Sequence, residues 1–202
     1  MVATGEEVFV SRLIEVRRHS KARSSEERGL GSALSQEGVR LARRLGDGLR
    51  PFDIVLTSDV PRAIETALAM GVAIDEIDDT LAPHDPLFWP EAKQFARDRT
   101  LSFAVWAEIV SHRASAWRHG ERQRDRWLEV ASQLPDEGSA LIVCHGGTIE
   151  SGVVTCFSAD VWGAWEELSP CDGVQLTVED TAFVSAVILR VDAADVGSDE
   201  RR

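Results

Sequence analysis

The chain has 202 residues, of which 44% are hydrophobic, so it can bury one substantial core, and we expect a single domain over residues 1–202. Its formal net charge of −12 argues against binding DNA or RNA, because that affinity comes largely from Lys and Arg displacing counterions. The chain opens without a basic leader and contains no apolar stretch near the roughly 20 residues that cross a bilayer, so we expect a cytoplasmic protein without a membrane partner.

A basic cluster follows the first predicted strand, residues 13–16, directly. Arg18 and His19 follow the strand directly, and the polar stretch 21–32 has the composition of a loop. Ser35 is a residue type that caps helices, and it precedes a run with helical apolar spacing. The apolar positions of this predicted amphipathic helix are Val39, Ala42, Leu45 and Leu49.

A second predicted strand covers residues 52–57 and leads at once into a helix. The segment 58–61, Ser-Asp-Val-Pro, resembles a helix start, since Pro is tolerated in the first turn. Arg62 then falls in that first turn, and Gly71 ends the helix. Residues 72–77 are predicted as the third strand, so the order to this point alternates strands and helices.

Residues 86–135 form a predicted helical insertion that is rich in Trp and Arg. His112 and His119 lie seven residues apart on one of its predicted helices, which could suggest a metal site. Because no third ligand is evident, we expect both histidines at the surface and expect Trp117 to pack. The Trp and Arg side chains of the insertion are candidates for substrate specificity.

The sheet resumes with the continuous apolar run 140–144, which is typical of a strand buried on both faces. This strand ends at His145-Gly146-Gly147, where a helix is expected to begin. Segments 174–178 and 182–191 predict a closing hairpin, and 192–202 predicts a solvated tail. Three cysteines without CxxC spacing favour neither a disulfide framework nor a thiolate metal site, and Cys144 is expected to fill space in its strand.

The alternation of strands and helices predicts an α/β sandwich around a mostly parallel sheet. Ligands of such sheets bind at the carboxyl ends of the strands. Three predicted strands end in groups suited to an anion: Arg18 and His19, then the segment that leads to Arg62, then His145. We therefore expect these separate segments to meet at one site.

Four segments together resemble the histidine phosphatase, or phosphoglycerate mutase-like, superfamily. The order and spacing agree over roughly residues 10–190. This resemblance implies a three-layer α/β/α sandwich with a helical insertion. The segments are Arg18-His19, Leu34-Ser35-Gln36-Glu37-Gly38, residues 57–67 (Thr-Ser-Asp-Val-Pro-Arg-Ala-Ile-Glu-Thr-Ala) and Cys144-His145-Gly146-Gly147.

The resemblance also implies a mechanism that needs no metal and no cofactor. His19 matches the nucleophile that briefly carries the phosphoryl group, and it must be neutral to attack. Arg18, Arg62 and His145 match the groups that stabilise the equatorial phosphoryl oxygens. The backbone N–H of Gly146, at a helix start, is expected to bind the same anion.

The sequence departs from the family pattern at three positions. Ser20 replaces the Gly that usually follows the nucleophile, and Ser25 stands where many relatives place a phosphate-binding Asn, so we include Ser25 as a substrate-binding candidate. The residue that usually protonates the leaving group aligns near Pro83, which cannot transfer a proton. Asp85 or His84 could substitute, with Asp85 preferred, or the substrate could have a leaving group that needs no strong acid.

The resemblance favours a phosphohydrolase of the histidine acid phosphatase type, a phosphoric monoester hydrolase. Its partner would be a small phosphorylated substrate or a phosphoprotein, while the sequence carries no signal for oligomeric state. One alternative is a phosphate-binding pseudoenzyme without turnover, suggested by Ser20 and Pro83. Phosphoglycerate mutase activity is less favoured, because mutases carry a Glu-Arg-His-Tyr-Gly segment and this chain has no Tyr.

Overall fold

The computed structural model describes residues 11–23 and 31–191. The predicted tail, 192–202, and the candidate Ser25 lie outside the described residues. Within the described ranges, no helix combines the length and the apolar character that crossing a bilayer requires.

Six strands form one sheet in the order β3-β2-β4-β1-β5-β6. Strands β3, β2, β4 and β1 run parallel to one another, whereas β5 and β6 are antiparallel to their neighbours. The predicted mostly parallel sheet and closing hairpin are therefore confirmed. The strands are β1 Ser11–Arg18, β2 Ile54–Ser58, β3 Glu76–Asp78, β4 Ser139–Cys144, β5 Gly173–Glu179 and β6 Ala182–Leu189.

Helices cover both faces of this sheet. On one face α1 and α2 pack against β2 and β4, and on the other α4, α5 and α6 pack against β1, β2 and β4. This arrangement gives three layers, as expected. The helices are α1 Gln36–Gly46, α2 Pro61–Ala69, α3 Phe88–Ala96, α4 Phe103–His112, α5 Ala114–Gln133, α6 Gly146–Cys156 and α7 Ala159–Trp162.

Strand β4 lies between β1 and β2 in the sheet, and helices cover both of its faces. Leu141 and Val143 point toward α1 and α2, while Ile142 and Cys144 point toward α5 and α6. This alternation explains the continuous apolar run in the sequence. Cys144 is fully buried and fills space, as predicted.

The end of β1 is fixed to the start of α1 by Ser20 and Ser35. Ser35 is the N-cap of α1, as predicted, and its hydroxyl accepts from the N–H of Gly38 at 3.0 Å. The buried hydroxyl of Ser20 donates to the carbonyl of Gly38 at 2.7 Å. A Cβ at Gly38 would lie 2.1 Å from the carbonyl oxygen of Lys21, so only glycine allows this close approach.

Two predictions near β2 are wrong in detail. The N-cap of α2 is Val60, which offers no capping hydroxyl. Ser58 is the last residue of β2, and its hydroxyl contacts His145 instead of capping the helix. The third strand is shorter than predicted and covers only Glu76–Asp78. Gly71, at a φ of 79°, turns the chain first, and the N–H of Val72 returns to the carbonyl of Ala67.

The helical insertion corrects two further predictions. His119 is buried, with 1% of its surface exposed, because its ring packs 4.4 Å from that of Phe88 and its Nε2 lies 3.2 Å from the hydroxyl of Thr148. Trp117 is 45% exposed instead of packed. His112 is exposed, as expected.

Candidate active site

The carboxyl ends of β1, β2 and β4 bring five predicted residues together, namely Arg18, His19, Arg62, His145 and Gly146. His19 follows β1, and its backbone N–H donates to the carbonyl of Cys144 at 2.8 Å. The rings of His19 and His145 lie 5.2 Å apart between centroids. A cavity of roughly 70 Å³ opens there, lined by Arg18, His19, Arg62, Trp89, Leu101, His145, Gly146, Gly147, Glu150 and Glu167.

His19 is held in one tautomer. Its Nδ1 lies 2.7 Å from the carbonyl oxygen of Ser20, which can only accept, so Nδ1 carries the hydrogen. The Nε of Arg62 donates to Nε2 of His19 at 2.9 Å, which marks Nε2 as the nitrogen with the lone pair. Burial, with the charge of Arg62, lowers the pKa of His19 to about 3. The imidazole is therefore neutral at pH 7 and its Nε2 can act as a nucleophile.

Arg62 joins the two imidazoles. Its Nε contacts His19, and its Nη2 lies 3.2 Å from Nδ1 of His145. Its place in the first turn of α2 is fixed by Pro61 at the helix start, and its carbonyl accepts from the hydroxyl of Thr66 at 2.6 Å. A guanidinium so placed can present several donors to one phosphoryl group.

His145 is the N-cap of α6 and is 2% exposed. Its Nε2 lies 2.9 Å from the hydroxyl oxygen of Ser58 at the end of β2. Burial lowers its pKa well below the ordinary value, and the nearby positive groups, including Arg62, act in the same direction. His145 is therefore neutral at pH 7. Because the guanidinium of Arg62 can only donate, Nδ1 of His145 accepts from it, and Nε2 carries the hydrogen and donates to Ser58.

Arg18 forms a further part of the cavity wall. Its Nη1 donates to the carbonyl of Leu168 and lies 3.8 Å from the carboxylate of Glu167. Its side-chain stem passes beside Gly146, where an added Cβ would lie 3.4 Å from Cδ of Arg18. The guanidinium is 27% exposed, so it can meet an anion at the cavity mouth.

The glycine pair at the start of α6 has two distinct functions. The first N–H groups of a helix have no partner within the helix, so those of Gly146 and Gly147 can bind an anion together with the helix dipole. Gly147 also makes room for the tryptophans of the insertion. A Cβ there would lie 2.8 Å from ring carbons of both Trp89 and Trp106.

The two acids suggested from the sequence do not line this cavity. Nε2 of His84 lies 2.8 Å from the carboxylate of Asp59 in an exposed pair. Asp85 accepts from the N–H of Leu87 at 2.8 Å and lies 3.8 Å from Nη2 of Arg118. In this arrangement neither group faces His19 across the cavity.

The carboxyl groups that do line the cavity are those of Glu150 and Glu167, which sequence reasoning missed. Glu150 lies four residues after Gly146 on α6, so helical periodicity could have placed both on one face. Glu167 lies in the connection between α7 and β5, where no period applies. Sequence reasoning also missed Ser58 as a partner of His145, because it had assigned the segment that begins at Ser58 to the start of α2.

The buried carboxyl of Glu150 has a perturbed charge state. Its Oε1 accepts from the N–H of Leu168 at 2.9 Å. Burial raises its pKa to about 8, and the opposing effects of that N–H and of Arg18 only partly offset the cost of burying a charge. Glu150 is therefore protonated at pH 7.

The replacement of Gly by Ser20 does not obstruct the cavity. Ser20 is fully buried, and its hydroxyl points to Gly38 in α1. Its N–H donates to the hydroxyl of Thr66 at 2.9 Å, which links the loop of His19 to α2. In the part of the chain that the structure describes, no group of three or more His, Cys, Asp or Glu side chains is arranged to hold a metal ion.

Comparison with known proteins identifies related folds. The sequence profile of the histidine phosphatase superfamily, branch 1, matches residues 14–188. No curated protein matches the chain in sequence.

Three solved structures share its fold. A phosphoglycerate mutase from Bacillus anthracis str. Sterne is 19% identical with a TM-score of 0.66, covering 93% of this chain and 96% of its own. A mycobacterial glucosyl-3-phosphoglycerate phosphatase is 18% identical with a TM-score of 0.62, covering 88% and 97%. A candidate phosphohistidine phosphatase SixA from Nakamurella multipartitia is 18% identical with a TM-score of 0.56, covering 90% and 95%. At these identities the likeness concerns the fold alone.

Proposed function

Given that this chain belongs to the histidine phosphatase superfamily, we propose that it is a phosphatase that acts through a covalent phosphohistidine on His19. Its substrate is a phosphomonoester or a phosphorylated side chain. The observation that carries this proposal is the state of His19: a neutral ring that lines one cavity with Arg18, Arg62 and His145. Its Nε2 keeps the lone pair, which accepts from Nε of Arg62 until a phosphoryl group takes over that donor.

The first step is attack by Nε2 of His19 on phosphorus. The P–N bond forms while the bond from phosphorus to the leaving oxygen breaks, and negative charge develops on the three equatorial oxygens. Arg18 and Arg62 offer forked donors to these oxygens, and the N–H of Gly146 adds a dipole at the start of α6. Because the donors lie on separate rigid elements, they are positioned before the substrate arrives.

The second step is hydrolysis of the phosphohistidine. A water oxygen attacks phosphorus from the side that the alcohol has left, the P–N bond breaks, and Nε2 of His19 recovers its lone pair. The carbonyl of Ser20 keeps the hydrogen on Nδ1 throughout, so His19 returns to its starting tautomer. Inorganic phosphate is the second product.

Two observations favour turnover over the phosphate-binding alternative. Ser20 replaces a glycine without entering the cavity, since its hydroxyl is bound to Gly38. The position near Pro83 lacks an acid, but the cavity has carboxyl groups of its own. Measurable turnover on a panel of phosphorylated compounds would discard the binding-only function, and failure to interconvert phosphoglycerates would discard mutase activity.

The direct test compares wild type with His19→Ala on para-nitrophenyl phosphate. We expect the substitution to lower kcat by about a thousandfold or more, because no other neutral imidazole takes the place of the nucleophile. His112→Ala is the matched control, since His112 is exposed and lies outside the cavity, and it should keep wild-type activity.

The intermediate can be trapped by rapid acid-free quenching and intact-mass measurement. Wild type and His112→Ala should each show one added phosphoryl group, and His19→Ala should show none. Equal phosphate release by wild type and His19→Ala would overturn the proposal.

A further inference from the structure

The leaving oxygen of a phosphate ester needs a proton unless the alcohol is unusually acidic. The residues suggested for this role from the sequence, His84 and Asp85, do not line the cavity of His19. The acid must therefore come from another element if the protein hydrolyses esters of ordinary alcohols.

We infer that Glu150 is the general acid of this site and that the substrates are phosphate monoesters of ordinary alcohols, an inference that rests on the proposed function. Glu150 lines the same cavity as His19 and is 2% exposed. It follows Gly146 by one helical turn on α6, so its side chain lies on the face of the helix whose first turn receives the phosphate.

The contacts of Glu150 determine which oxygen carries the proton. Oε1 accepts from the backbone N–H of Leu168 at 2.9 Å, and an oxygen that accepts from a fixed donor is a poor site for a proton. The indole N–H of Trp106 is a further donor beside this carboxyl. We place the proton of the neutral carboxyl on Oε2, the oxygen that Leu168 does not hold. One oxygen orients the group and the other donates.

The surroundings keep this carboxyl neutral at pH 7. Burial raises the pKa of Glu150 to about 8, and the negative charge of Glu167 acts in the same direction, while Arg18 opposes both. The other titratable groups that line the cavity, His19 and His145, are neutral at pH 7 because burial lowers the pKa of each. A bound phosphate dianion would favour the protonated form of Glu150 further.

Glu167 is the other carboxyl group of the cavity, and it is less suited to donate a proton. Its side chain is 42% exposed and its carboxylate lies 3.8 Å from Nη1 of Arg18. This carboxylate is half exposed and paired with a guanidinium, whereas the carboxyl of Glu150 is enclosed. Glu167 therefore serves as a partner of Arg18 and as the matched control for Glu150.

The chemistry with Glu150 balances over both steps. As Nε2 of His19 bonds to phosphorus and the P–O bond breaks, the leaving oxygen takes the proton from Oε2, which yields a neutral alcohol and a Glu150 carboxylate. In the second step that carboxylate takes a proton from the attacking water as the P–N bond breaks. The free protein is then restored with Glu150 protonated and inorganic phosphate released.

The test uses substrates whose leaving groups differ in acidity. Glu150→Gln keeps the size of the side chain and its acceptor oxygen for Leu168, but removes the proton. We expect kcat/KM for glycerol 3-phosphate to fall by about 100-fold or more. For para-nitrophenyl phosphate, whose leaving group needs little protonation, kcat/KM should change by less than about threefold. Glu167→Gln should leave the ratio of the two values near that of wild type.

A second measurement is the pH dependence of the two activities. In wild type the ratio of kcat/KM for glycerol 3-phosphate to that for para-nitrophenyl phosphate should decline as the pH rises through about 8, when Glu150 loses its proton. Glu150→Gln, which is checked for folding by circular dichroism, should show a flat ratio.

Equal losses on both substrates in Glu150→Gln, or a wild-type ratio that does not vary between about pH 6 and about pH 9, roughly three units that span the titration, would overturn the assignment of Glu150 and leave phosphatase activity standing. Wild-type turnover of the aryl phosphate alone would overturn the inferred substrate class. Inactivity of wild type toward both substrates would instead overturn the proposed function, and the inference with it.

Discussion

The hydroxyl of Ser58 lies 2.9 Å from Nε2 of His145, so the last residue of β2 touches the residue that precedes α6. Both groups are buried. This contact orients the ring of His145, whose Nε2 donates to Ser58 because its Nδ1 accepts from the donor-only guanidinium of Arg62.

Ser58→Ala should lower kcat by roughly 10- to 100-fold with little loss of stability, because His145 loses the partner that orients it. Steady-state assays with para-nitrophenyl phosphate measure the change. Ser151→Ala is the control, since Ser151 is equally buried on α6 but its hydroxyl donates to the carbonyl of Thr148. Similar activity in the two variants would show that Ser58 does not orient His145.

Gly147→Ala should destabilise the fold. The new methyl group would lie 2.8 Å from ring carbons of Trp89 and Trp106, closer than packed carbons can sit. Overpacking of this kind costs about 2 kcal/mol, which corresponds to a fall in Tm of about 6 °C for a chain of this size. Gly48→Ala, where the added carbon meets only the carbonyl of Leu45 at 3.7 Å, should leave Tm unchanged in differential scanning calorimetry. Equal Tm values for the two variants would refute the packing argument.

Arg126 should matter more to stability than any exposed cation. It reaches from α5 to the carboxylates of Asp78 at 2.5 Å and Glu76 at 2.6 Å at β3. Burial alone would raise the pKa of Asp78, yet hydrogen bonds from Thr80 and Arg126 hold it below its ordinary value. Arg126→Met would strand the buried Asp78 and lower the unfolding free energy by about 3 kcal/mol.

Urea unfolding at pH 7 measures this loss. Because the folded-state pKa of Asp78 is depressed, the stability it contributes is present above the ordinary carboxyl pKa and disappears in acid, so wild type and Arg126→Met should converge there. Arg99→Met, whose partner Glu108 is exposed, should match wild type at pH 7. An equal loss in both variants would argue against a special role for the buried pair.

Acid should destabilise the fold through its buried histidines. Burial lowers the pKa of His19 to about 3 and that of His119 to about 4, whereas an unfolded His titrates near 6.5. Between these values the unfolded chain binds more protons, so stability falls as pH falls from about 6.5. In His119→Gln the slope of unfolding free energy near pH 5 should decrease by about 1.4 kcal/mol per pH unit.

The same urea titrations, run from pH 7 to pH 4, provide this slope. His112→Gln is the control because His112 is exposed and its substitution should leave the slope intact. A slope in His119→Gln that equals the wild-type slope would mean that His119 is not held neutral in the folded state.

The parts of the fold that could be predicted are those with a local signal. The apolar run of β4 and the N-cap at Ser35 are properties of neighbouring residues, and both are confirmed. Arg18, His19 and His145 could be assigned to one edge because they follow strands of a parallel sheet, and the structure brings them together. Their catalytic roles stay proposals.

The parts that could not be predicted depend on distant partners. His119 is buried because Phe88 and Thr148, on two other helices, enclose it. Glu150 is recognisable as an acid only once the enclosure of its carboxyl is known, since an unburied Glu would be ionised. The apolar pattern after Gly71 predicted a strand over residues 72–77. The chain turns at Gly71 first, and β3 covers only Glu76–Asp78.

Leu168 supports two functional groups through one residue's backbone. Its N–H is bound by Glu150, its carbonyl is bound by Arg18, and its own side chain is fully buried in the core. The proposed anion binding by Arg18 and the proposed proton transfer from Glu150 thus depend on the position of one residue that takes no part in the chemistry. A packing defect beneath Leu168 would displace Glu150 and Arg18 together. A mutation there would lower activity as an active-site mutation does, although it alters no residue that touches the substrate.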